Sequence, residues 1–504
     1  MRTSALNIER RASDIDALAT ETVDVLVVGG GVTGTGVAVD AASRGLSVAL
    51  IEAEDLAFGT SRWSSKLVHG GLRYLAKGDV GLARESAVER GILMTRTAPH
   101  LIRALPQLVP LHPGVSTRTA ALTYVGLTAG DALRRAARTP SALLPRPRKV
   151  SVPEALALAP GLLRRDLRGG LLSFDGQLID DARLVVALAR TAASLGARVL
   201  TRVRAEALSA SGADVVDTVD GRSFSIRARA VVNATGVWAD TLVSSIRLRP
   251  SRGSHLVLDG AGLGIGGTSL TVPVPGHFGR FVLLLPQADG RVYLGLTDEP
   301  VDSVSAVPSV PQSDVDFLLD IASSVLERKL RPDDVLGSFA GLRPLVRSTG
   351  RSADLSRHHA VIKSAGVITV VGGKLTTYRK MAADAVDATG LPCGPSVTRS
   401  LALVGADSSA SLVDVPRRLI ALYGAEAGRV HALGELDSTL AEPVGDGLTV
   451  TGAEVVWAVR NEGAMSTDDV LDRRTRIGLV AKDRAAALER VDDLVGRTLA
   501  GLTP

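Results

Sequence analysis

Cysteine and aromatic residues are scarce in this 504-residue chain. It contains a single cysteine, Cys393, and aromatic residues make up only 3% of the sequence. One cysteine cannot form an internal disulfide, and without a Cys-x-x-Cys pair no cysteine-ligated zinc or iron–sulfur site can be built. A protein without disulfides fits a reducing, cytoplasmic compartment. Few aromatic rings also leave few platforms for stacking nucleic-acid bases, so we expect no metal centre and no nucleic-acid partner.

The sequence also lacks a strong charge bias and long apolar runs. Its 58 basic and 53 acidic residues leave a net charge of +5, and hydrophobic residues make up 45%. This balance excludes intrinsic disorder. No uncharged run reaches the roughly 18 apolar residues of a membrane span, and the N-terminal segment alternates charges where a secretory signal would be apolar. We therefore expect a globular chain that is neither exported nor membrane-spanning, long enough for about three domains.

A glycine-rich turn follows the first apolar strand, at 24–28, and opens a helix. Its motif Gly-x-Gly-x-x-Gly contains Gly29, Gly30, Gly31 and Gly34. In such a motif the first glycine makes a tight turn, the second lets the backbone approach a pyrophosphate, and the third lets the helix pack closely on the strand. The helix N-terminus favours the bound anion. Glu52 ends the next strand, where it can accept hydrogen bonds from ribose hydroxyls. The pattern predicts a dinucleotide site without separating NAD from FAD.

Two further turns follow buried strands later in the chain. The strand at 230–233 leads into Ala234, Thr235 and Gly236, where a flavin-binding domain brings a second turn near the dinucleotide. The strand at 367–371 leads into two glycines and then a helix that starts near Leu375. The free N–H groups of that helix could stabilise negative charge on a reduced flavin.

Two segments carry a family resemblance. Residues 59–75, GTSRWSSKLVHGGLRYL, resemble the flavin-contacting segment of FAD-dependent, respiratory glycerol-3-phosphate dehydrogenases, and residues 372–380 are similar to the second signature of that family. Further similarity lies at 180–184, 253–255, 296–298, 341–345 and 457–476. The resemblance extends from Val23 over nearly the whole chain.

The resemblance implies an α/β fold, α+β overall, in which a Rossmann-like FAD-binding domain is interleaved with an antiparallel β-sheet substrate domain and followed by a C-terminal helical domain. The expected boundaries are 22–115, 170–245 and 337–395 for the FAD-binding domain, 116–169 and 246–336 for the substrate domain, and 396–504 for the helical domain. Strand patterns that recur after long interruptions agree with this interleaving.

The implied activity is oxidation of sn-glycerol 3-phosphate to dihydroxyacetone phosphate, with a hydride passing from C2 to FAD and electrons leaving to membrane quinone. The segment around Cys393 does not resemble a covalent flavin attachment site, so FAD is expected to be noncovalent. Two other functions stay open: an oxidase of the same family that reduces oxygen to hydrogen peroxide, and a flavin-binding protein without turnover. An amine oxidase of similar fold is a weaker alternative, because it needs no phosphate clamp.

The substrate-side residues follow from their positions in the matching motifs. A dianionic phosphate calls for bidentate guanidinium groups. The positions that match the family's substrate-binding residues are Arg73, Tyr74, His255, Arg343 and Arg357. An imidazole can accept the C2 hydroxyl proton near neutral pH, and both His69 and His255 are candidates for this base. Together with Arg343 and Lys374 they form the expected catalytic set.

Lysine is rare, because only eight of the 58 basic residues are lysines. A lysine retained in a matching motif is therefore informative. The resemblance implies that both lysines contact FAD: Lys374 favours the anionic reduced flavin, and Lys66 helps to hold the segment at the isoalloxazine ring. The other expected FAD-contacting residues, besides the glycine-rich turns and Glu52, are Thr60, Ser61, Ser65, Leu67, Val203, Gly373, Leu375 and Thr376.

A basic segment at 132–149 contains six cations, no acid and three interleaved leucines. Such a segment predicts contact with anionic lipid headgroups, although a basic surface loop would have the same composition. Together with the implied quinone acceptor, it leads us to expect peripheral attachment to the inner face of the cell membrane. The sequence does not decide the oligomeric state, and a homodimer is one assembly that it allows.

Overall fold

The structure is a computed structural model that describes residues 3–71, 78–277, 279–346, 358–407 and 414–502. Its α-helices, in chain order, are α1 (Ile8–Thr20), α2 (Val32–Ser43), α3 (Val80–Ile92), α4 (Thr117–Ala136), α5 (Val152–Leu158), α6 (Asp181–Ser194), α7 (Ala239–Leu242), α8 (Gln312–Ser323), α9 (Tyr378–Thr389), α10 (Arg417–Tyr423), α11 (Ala427–Leu436), α12 (Ser438–Ala441), α13 (Gly452–Asn461), α14 (Thr467–Asp469) and α15 (Ala481–Ala500).

The strands form two sheets. In chain order they are β1 (Thr22–Val28), β2 (Val48–Ile51), β3 (Leu67–Val68), β4 (Ile102–Pro110), β5 (Arg148–Val150), β6 (Gly170–Leu178), β7 (Arg198–Leu200), β8 (Val203–Ser209), β9 (Gly212–Asp217), β10 (Ser223–Asn233), β11 (Ser251–Asp259), β12 (Ser269–Pro273), β13 (Phe281–Pro286), β14 (Arg291–Gly295), β15 (Glu299–Pro300), β16 (Val335–Arg343), β17 (His359–Ser364) and β18 (Val367–Gly372).

The first sheet has the order β17-β18-β10-β1-β2-β7, and β8 and β9 extend it beside β10. Strands β18, β10, β1, β2 and β7 are parallel. Their apolar runs are buried on both faces, as is usual for a parallel sheet covered on both sides. Helix α2 packs with α6 and α9 over one face, while Ile15 and Leu18 of α1 pack against the other.

The second sheet has the order β15-β11-β14-β13-β12-β4-β6-β3, with β16 beside β11 and β5 beside β6. Its pairs are antiparallel except for β12 and β4, which run parallel. Apolar residues of one face pack against α8 in a continuous core. The opposite face is turned towards the carboxyl ends of β1 and β10, and the two sheets together enclose a cavity.

The predicted fold class is confirmed, but four strands that were expected, wholly or in large part, in the FAD-binding domain belong to the second sheet. The ranges 67–68, 102–110, 170–178 and 337–343 were assigned to the FAD-binding domain, whereas β3, β4, β6 and β16 pair within the second sheet. Strand β6 runs antiparallel to all of β4, and β16 runs antiparallel to β11. Such partners are distant in sequence, and the apolar pattern of a strand does not specify which strand lies beside it.

Helices α10 to α15 form a C-terminal helical region with its own apolar core. Buried ion pairs attach it to the first sheet's side of the molecule. Asp55, after β2, binds the guanidinium groups of Arg473 at 2.6 Å and Arg474 at 2.9 Å, and Arg183 of α6 pairs with Glu462. Across the described ranges, no helix combines the length and the apolar character needed to cross a bilayer.

Candidate active site

A cavity of about 1850 Å³ lies between the two sheets. Single small-molecule sites usually measure roughly 300–1000 Å³, so this cavity has room for a dinucleotide together with a small substrate. Its walls include the glycine-rich turn after β1, the segment 58–69, the turn after β10, the turn after β18 and the inner face of the second sheet.

The turn after β1 forms a cradle that only glycine fits. Gly29 has a φ of +113°, and a Cβ there would lie 2.6 Å from the carbonyl oxygen of Ala234. A Cβ on Gly34 would lie 1.9 Å from the oxygen of Gly29, which is why α2 can start so close to β1. The backbone N–H of Val32, in the first turn of α2, donates to Ser61 Oγ at 2.9 Å. The turn therefore brings a helix N-terminus and open backbone to the cavity, as a pyrophosphate requires.

Glu52 lies in the cavity wall beside this turn. Its Oε2 accepts a hydrogen bond from the N–H of Gly30 at 2.6 Å, and its Oε1 accepts one from the N–H of Glu54 at 2.9 Å. Burial raises the pKa of Glu52, although these two backbone donors oppose the rise. Each carboxylate oxygen keeps a lone pair, so Glu52 can still accept from a ribose hydroxyl. The residues present therefore fit a dinucleotide.

The two later turns close the cradle from the other side. Thr235 donates its N–H and hydroxyl to Asn233 Oδ1 at 3.2 and 2.6 Å, which fixes the turn after β10. After β18, Gly372 and Gly373 have φ values of +76° and +69°. The ammonium of Lys374 binds Ser86, and Lys374 itself lines the cavity.

His255, on β11, faces the cavity from the second sheet. Its Nε2 lies 2.9 Å from Ser65 Oγ, and its ring stacks on Phe339 with 4.7 Å between centroids. Burial, with smaller contributions from Lys66 and Arg343, lowers the pKa of His255 to about 3. The imidazole is consequently neutral at ordinary pH.

Arg343 ends β16 near His255 and also lines the cavity. Its Nη1 donates to Asp298 Oδ1 at 3.1 Å, and its Nη2 donates to the carbonyl oxygen of Thr297 at 3.1 Å. A Cβ on Gly253 would lie 2.3 Å from Arg343 Nη2, so the guanidinium occupies space that only glycine leaves. Three motifs of the family resemblance, at 253–255, 296–298 and 341–345, thus meet at one guanidinium group.

The position of Lys66 differs from the expectation that its side chain contacts FAD. Its side chain lies behind the cavity wall, where Nζ binds Asp181 Oδ2 at 2.8 Å and the carbonyl oxygen of Arg62 at 2.9 Å. Burial and the neighbouring Arg476 lower the pKa of Lys66 to about 8, although Asp181 opposes the shift. The ammonium holds the segment in place, and its two neighbours Ser65 and Leu67 line the cavity.

The structure brings most of the other predicted residues to the same cavity. His69 is among them, and its N–H donates to Thr376 Oγ1 at 3.3 Å. The predicted residues that line the cavity are Gly29, Gly31, Glu52, Thr60, Ser61, Ser65, Leu67, His69, Val203, Ala234, Thr235, Gly236, His255, Arg343, Gly373, Lys374, Leu375 and Thr376. Gly30 and Gly34 shape the turn from behind. Arg73, Tyr74 and Arg357 lie outside the described residues.

Sequence reasoning gave no role to two residues that support the site. Asp181 binds Lys66 and the Ser64 backbone, and Phe339 stacks on His255. A signal for Asp181 was available, because consecutive acids at 180–181 lie in a motif of the resemblance. Phe339 gave none, since a phenylalanine in an apolar strand looks like ordinary core.

A glycine cradle beside a helix N-terminus, open to a cavity that contains a histidine and a held guanidinium, defines a Rossmann-type dinucleotide-dependent oxidoreductase. Residues 24–379 match the family model described as FAD dependent oxidoreductase, and residues 396–500 match the one described as C-terminal domain of alpha-glycerophosphate oxidase. The chain is 51% identical to Glycerol-3-phosphate dehydrogenase 1 of Mycobacterium tuberculosis, covering 98% of this chain and 99% of that protein.

Two solved structures share the fold. The glycerol-3-phosphate dehydrogenase from Bacillus halodurans, complexed with FAD, matches with a TM-score of 0.76 and 27% identity over 100% of this chain and 97% of that one. The L-alpha-glycerophosphate oxidase from Mycoplasma pneumoniae, with FAD bound, matches with a TM-score of 0.58 and 21% identity over 76% of this chain and 99% of that one. The chain belongs to the FAD-dependent glycerol-3-phosphate dehydrogenase family, and its cofactor is FAD.

Proposed function

We propose that this protein oxidises sn-glycerol 3-phosphate to dihydroxyacetone phosphate and passes the electrons to membrane quinone. The observation that carries the proposal is the shared cavity, in which the dinucleotide cradle, His255 and Arg343 line one continuous space. Relatives named for glycerol 3-phosphate over nearly their whole length support the same substrate.

Bound FAD supplies the acceptor for the two electrons of the substrate C2–H bond. Arg343 binds the phosphate, because its two nitrogens are oriented by Asp298 and Thr297 and a guanidinium pairs well with phosphate oxygens. Arg73, Tyr74 and Arg357 complete the substrate contacts in this proposal. Glycerol and sarcosine carry no phosphate and gain nothing from such a clamp.

The base that takes the proton of the C2 hydroxyl is one of two histidines on the cavity wall. His255 is neutral, which is the form that accepts a proton, and Ser65 holds its Nε2. Its burial makes the imidazolium costly, which favours a role in orienting the substrate. His69 accepts the N–H of Gly71 at its Nδ1, at 3.2 Å, so the neutral ring carries its hydrogen on Nε2 and its lone pair on Nδ1, which would have to release Gly71 to take the proton.

Anaerobic bleaching of the visible flavin absorbance tests the substrate. Purified protein that contains FAD is mixed with glycerol 3-phosphate, glycerol or sarcosine in the absence of oxygen. Only glycerol 3-phosphate should reduce the flavin. Bleaching by sarcosine would favour an amine oxidase, and no bleaching by any of the three would favour a flavin-binding protein without turnover.

An oxygen-reducing oxidase is the second candidate. It is favoured by the match of residues 396–500 to a domain described from alpha-glycerophosphate oxidase. Stopped-flow reoxidation of the reduced flavin separates the two functions. A quinone acceptor predicts fast reoxidation by a soluble quinone and slow reoxidation in air, whereas fast reoxidation in air with release of hydrogen peroxide would identify an oxidase.

Attachment to the membrane surface is part of the proposed function, and the structure changes which residues support it. Within the predicted basic segment, Arg134 is buried and pairs with Asp131 at 2.7 Å, and Leu144 is buried in the core. These two residues are therefore not available to lipid. Leu122 and Val125 on α4, instead, are 49% and 64% exposed at the rim of the cavity.

The exposed apolar face of α4 precedes exposed cations such as Arg138. Apolar side chains flanked by cations suit an anionic bilayer surface. The test is sedimentation with vesicles of anionic or zwitterionic lipid. Binding should require anionic lipid, weaken with salt and fall in the variant Leu122→Asp/Val125→Asp. The matched control is Leu436→Asp, since Leu436 is 85% exposed in the C-terminal helical region. Equal loss in both variants would contradict this surface.

A further inference from the structure

A buried ion pair lies directly behind the cavity wall. Lys66 and Asp181 are both fully buried, with 2.8 Å between Nζ and Oδ2. The same Oδ2 atom accepts the N–H of Ser64 at 2.9 Å and the hydroxyl of Ser64 at 2.7 Å. A carboxylate that binds an ammonium and two other donors fixes both ends of the short segment 64–66. The pair therefore determines the backbone on either side of Ser65.

Two contacts connect this pair to His255. The hydroxyl of Ser65, between the two anchored residues, lies 2.9 Å from His255 Nε2. The ring of Phe339 stacks on the His255 imidazole at 4.7 Å, and Lys66 Nζ lies 5.2 Å from the centroid of that same ring. The ion pair is thus connected to His255 through the backbone and hydroxyl of Ser65 on one side and through the ring of Phe339 on the other.

We propose that Lys66 is a positioning residue for His255, which holds the imidazole in place through Ser65 and Phe339 while Asp181 keeps the ammonium in place. Lys66 itself does not reach the cavity. This assignment rests on the proposed function only in so far as His255 serves the substrate side of that reaction.

The charges around His255 give the pair an electrostatic role as well. Lys66 and Arg343 are the cations that disfavour the imidazolium, and Asp181 is the anion that favours it. Asp180 and Arg476 act on the Lys66–Asp181 pair from the adjoining helix and from the C-terminal region. Removing the Lys66 ammonium leaves the negative charge of Asp181 without its paired cation, so protonation of His255 becomes easier.

Turnover of Lys66→Met supplies the first test. In the FAD-containing enzyme, kcat/KM for glycerol 3-phosphate should fall by about 100-fold, because misplacing a group at the reacting centre by about 1 Å has that effect. The acid limb of the pH profile of kcat/KM should also move to higher pH, because His255 is then protonated more easily. The matched control is Arg11→Met, which removes the cation of another buried pair, 2.6 Å from Asp217, and neither Arg11 nor Asp217 lines the cavity. This control should lower thermal stability and leave kcat/KM and the pH profile unchanged.

A double-mutant cycle separates positioning from general damage. If Lys66 acts through His255, the losses caused by Lys66→Met and His255→Asn are not additive, because contacts in one network couple. Additive losses would overturn the proposal. So would a Lys66→Met enzyme that differs from the Arg11→Met enzyme in neither kcat/KM nor the position of its acid limb.

A readout without turnover keeps the test independent of the substrate. With ¹⁵N-labelled histidine in the FAD-containing protein, the His255 signals are identified by their absence in His255→Asn. Both Lys66→Met and Ser65→Ala should shift the Nε2 signal, since both change the contact at that atom, and Arg11→Met should not. If Lys66→Met leaves that signal as in wild type, the proposal is wrong. If wild type fails to oxidise glycerol 3-phosphate but the signal shifts, only the proposed substrate is wrong.

Discussion

The chemistry of this cavity depends on how single side chains are held from behind. Arg343 is fixed by Asp298 and Thr297 before any ligand is bound, and His255 is fixed by Ser65 and Phe339. Groups held in advance lose little conformational entropy when the substrate binds. Each support can therefore be tested separately from the group that it holds.

Replacing Arg343 with lysine should weaken the phosphate clamp. Lysine keeps the charge, but its single nitrogen lacks the planar fork of a guanidinium and cannot donate two parallel hydrogen bonds to a phosphate while it also holds Asp298. We expect kcat/KM for glycerol 3-phosphate to fall roughly 10- to 100-fold, as for the loss of one or two charge-assisted hydrogen bonds. The matched control is Arg252→Lys, because Arg252 pairs with Asp314 from an adjacent strand. Steady-state kinetics give kcat/KM for both variants. Equal losses of kcat/KM would argue against a phosphate clamp at Arg343.

His255 should make the protein less stable as the pH falls. Burial lowers its pKa from 6.5 to about 3, so below about pH 6.5 the unfolded chain binds a proton at this residue and the folded protein does not. The free energy of unfolding should therefore lose about 2 kcal/mol of this contribution between about pH 7 and pH 5.

Urea unfolding of wild type and His255→Asn, with excess FAD, measures that effect. The stability advantage of wild type should shrink as the pH falls from about 7 to about 5, because asparagine does not titrate. A difference that stays constant over this range would show that the folded protein binds a proton at His255 as readily as the unfolded chain.

At the scale of elements, the dinucleotide cradle depends on how closely α2 approaches β1. The helix starts at Val32, and the carbonyl oxygen of Gly29 lies where a side chain on Gly34 would begin. Gly34 therefore allows the helix to pack closely on the strand, while Gly29, at φ +113°, allows the tight turn between them.

The substitution Gly34→Ala should displace α2 and with it the helix N-terminus. The added Cβ would lie 1.9 Å from Gly29 oxygen, and overpacking of this kind costs about 1–3 kcal/mol. We expect the purified variant to retain much less FAD per chain, measured by visible absorbance after desalting. The control is Gly496→Ala in α15, where nothing lies within 4 Å of the new Cβ. FAD content equal to that of the control would contradict the close-packing role.

At the scale of the whole molecule, the C-terminal helical region is attached beside the cofactor site by buried charges. Burial alone would raise the pKa of Asp55, but Arg474 and Arg473 outweigh it and hold the pKa of this carboxyl below its ordinary value. The guanidinium of Arg476 lies 5.3 Å from the ring of Trp63, which lines the cavity. The region thus supports the segment 58–69 of the cavity wall from outside.

Replacing Asp55 with asparagine should destabilise this attachment. Two buried guanidinium groups lose their anion, and breaking a buried pair by removing one partner costs about 3–5 kcal/mol. Denaturant unfolding measures the loss. The control is Asp493→Asn, whose exposed pair with Arg497 should contribute no more than about 0.5 kcal/mol. Losses of similar size in the two variants would show that the Asp55 cluster does not hold the region in place.

Local requirements were readable from the sequence. A tight turn between a strand and a helix needs glycine at fixed spacing, so the cradle at 29–34 and the acid at 52 could be located from residue order alone. The family, the fold class and FAD were predicted on matching motifs and are confirmed. The helices after the turns at 29–34 and 372–373 were also predicted; the first begins at Val32, and the second, expected near Leu375, begins as a 3-10 turn at Leu375–Thr377 and continues as α9.

Only the tertiary structure decided which distant residues meet. Strand pairing places 67–68, 102–110, 170–178 and 337–343, which were expected in the FAD-binding domain, in the second sheet. Within the basic segment, Arg134 is buried and so does not reach the surface. Lys66 reads in sequence as a residue that contacts the cofactor, yet its ammonium binds Asp181 behind the wall. Turn and helix preferences act within a few residues and are written in the sequence, whereas burial and ion pairing depend on partners that only folding brings together.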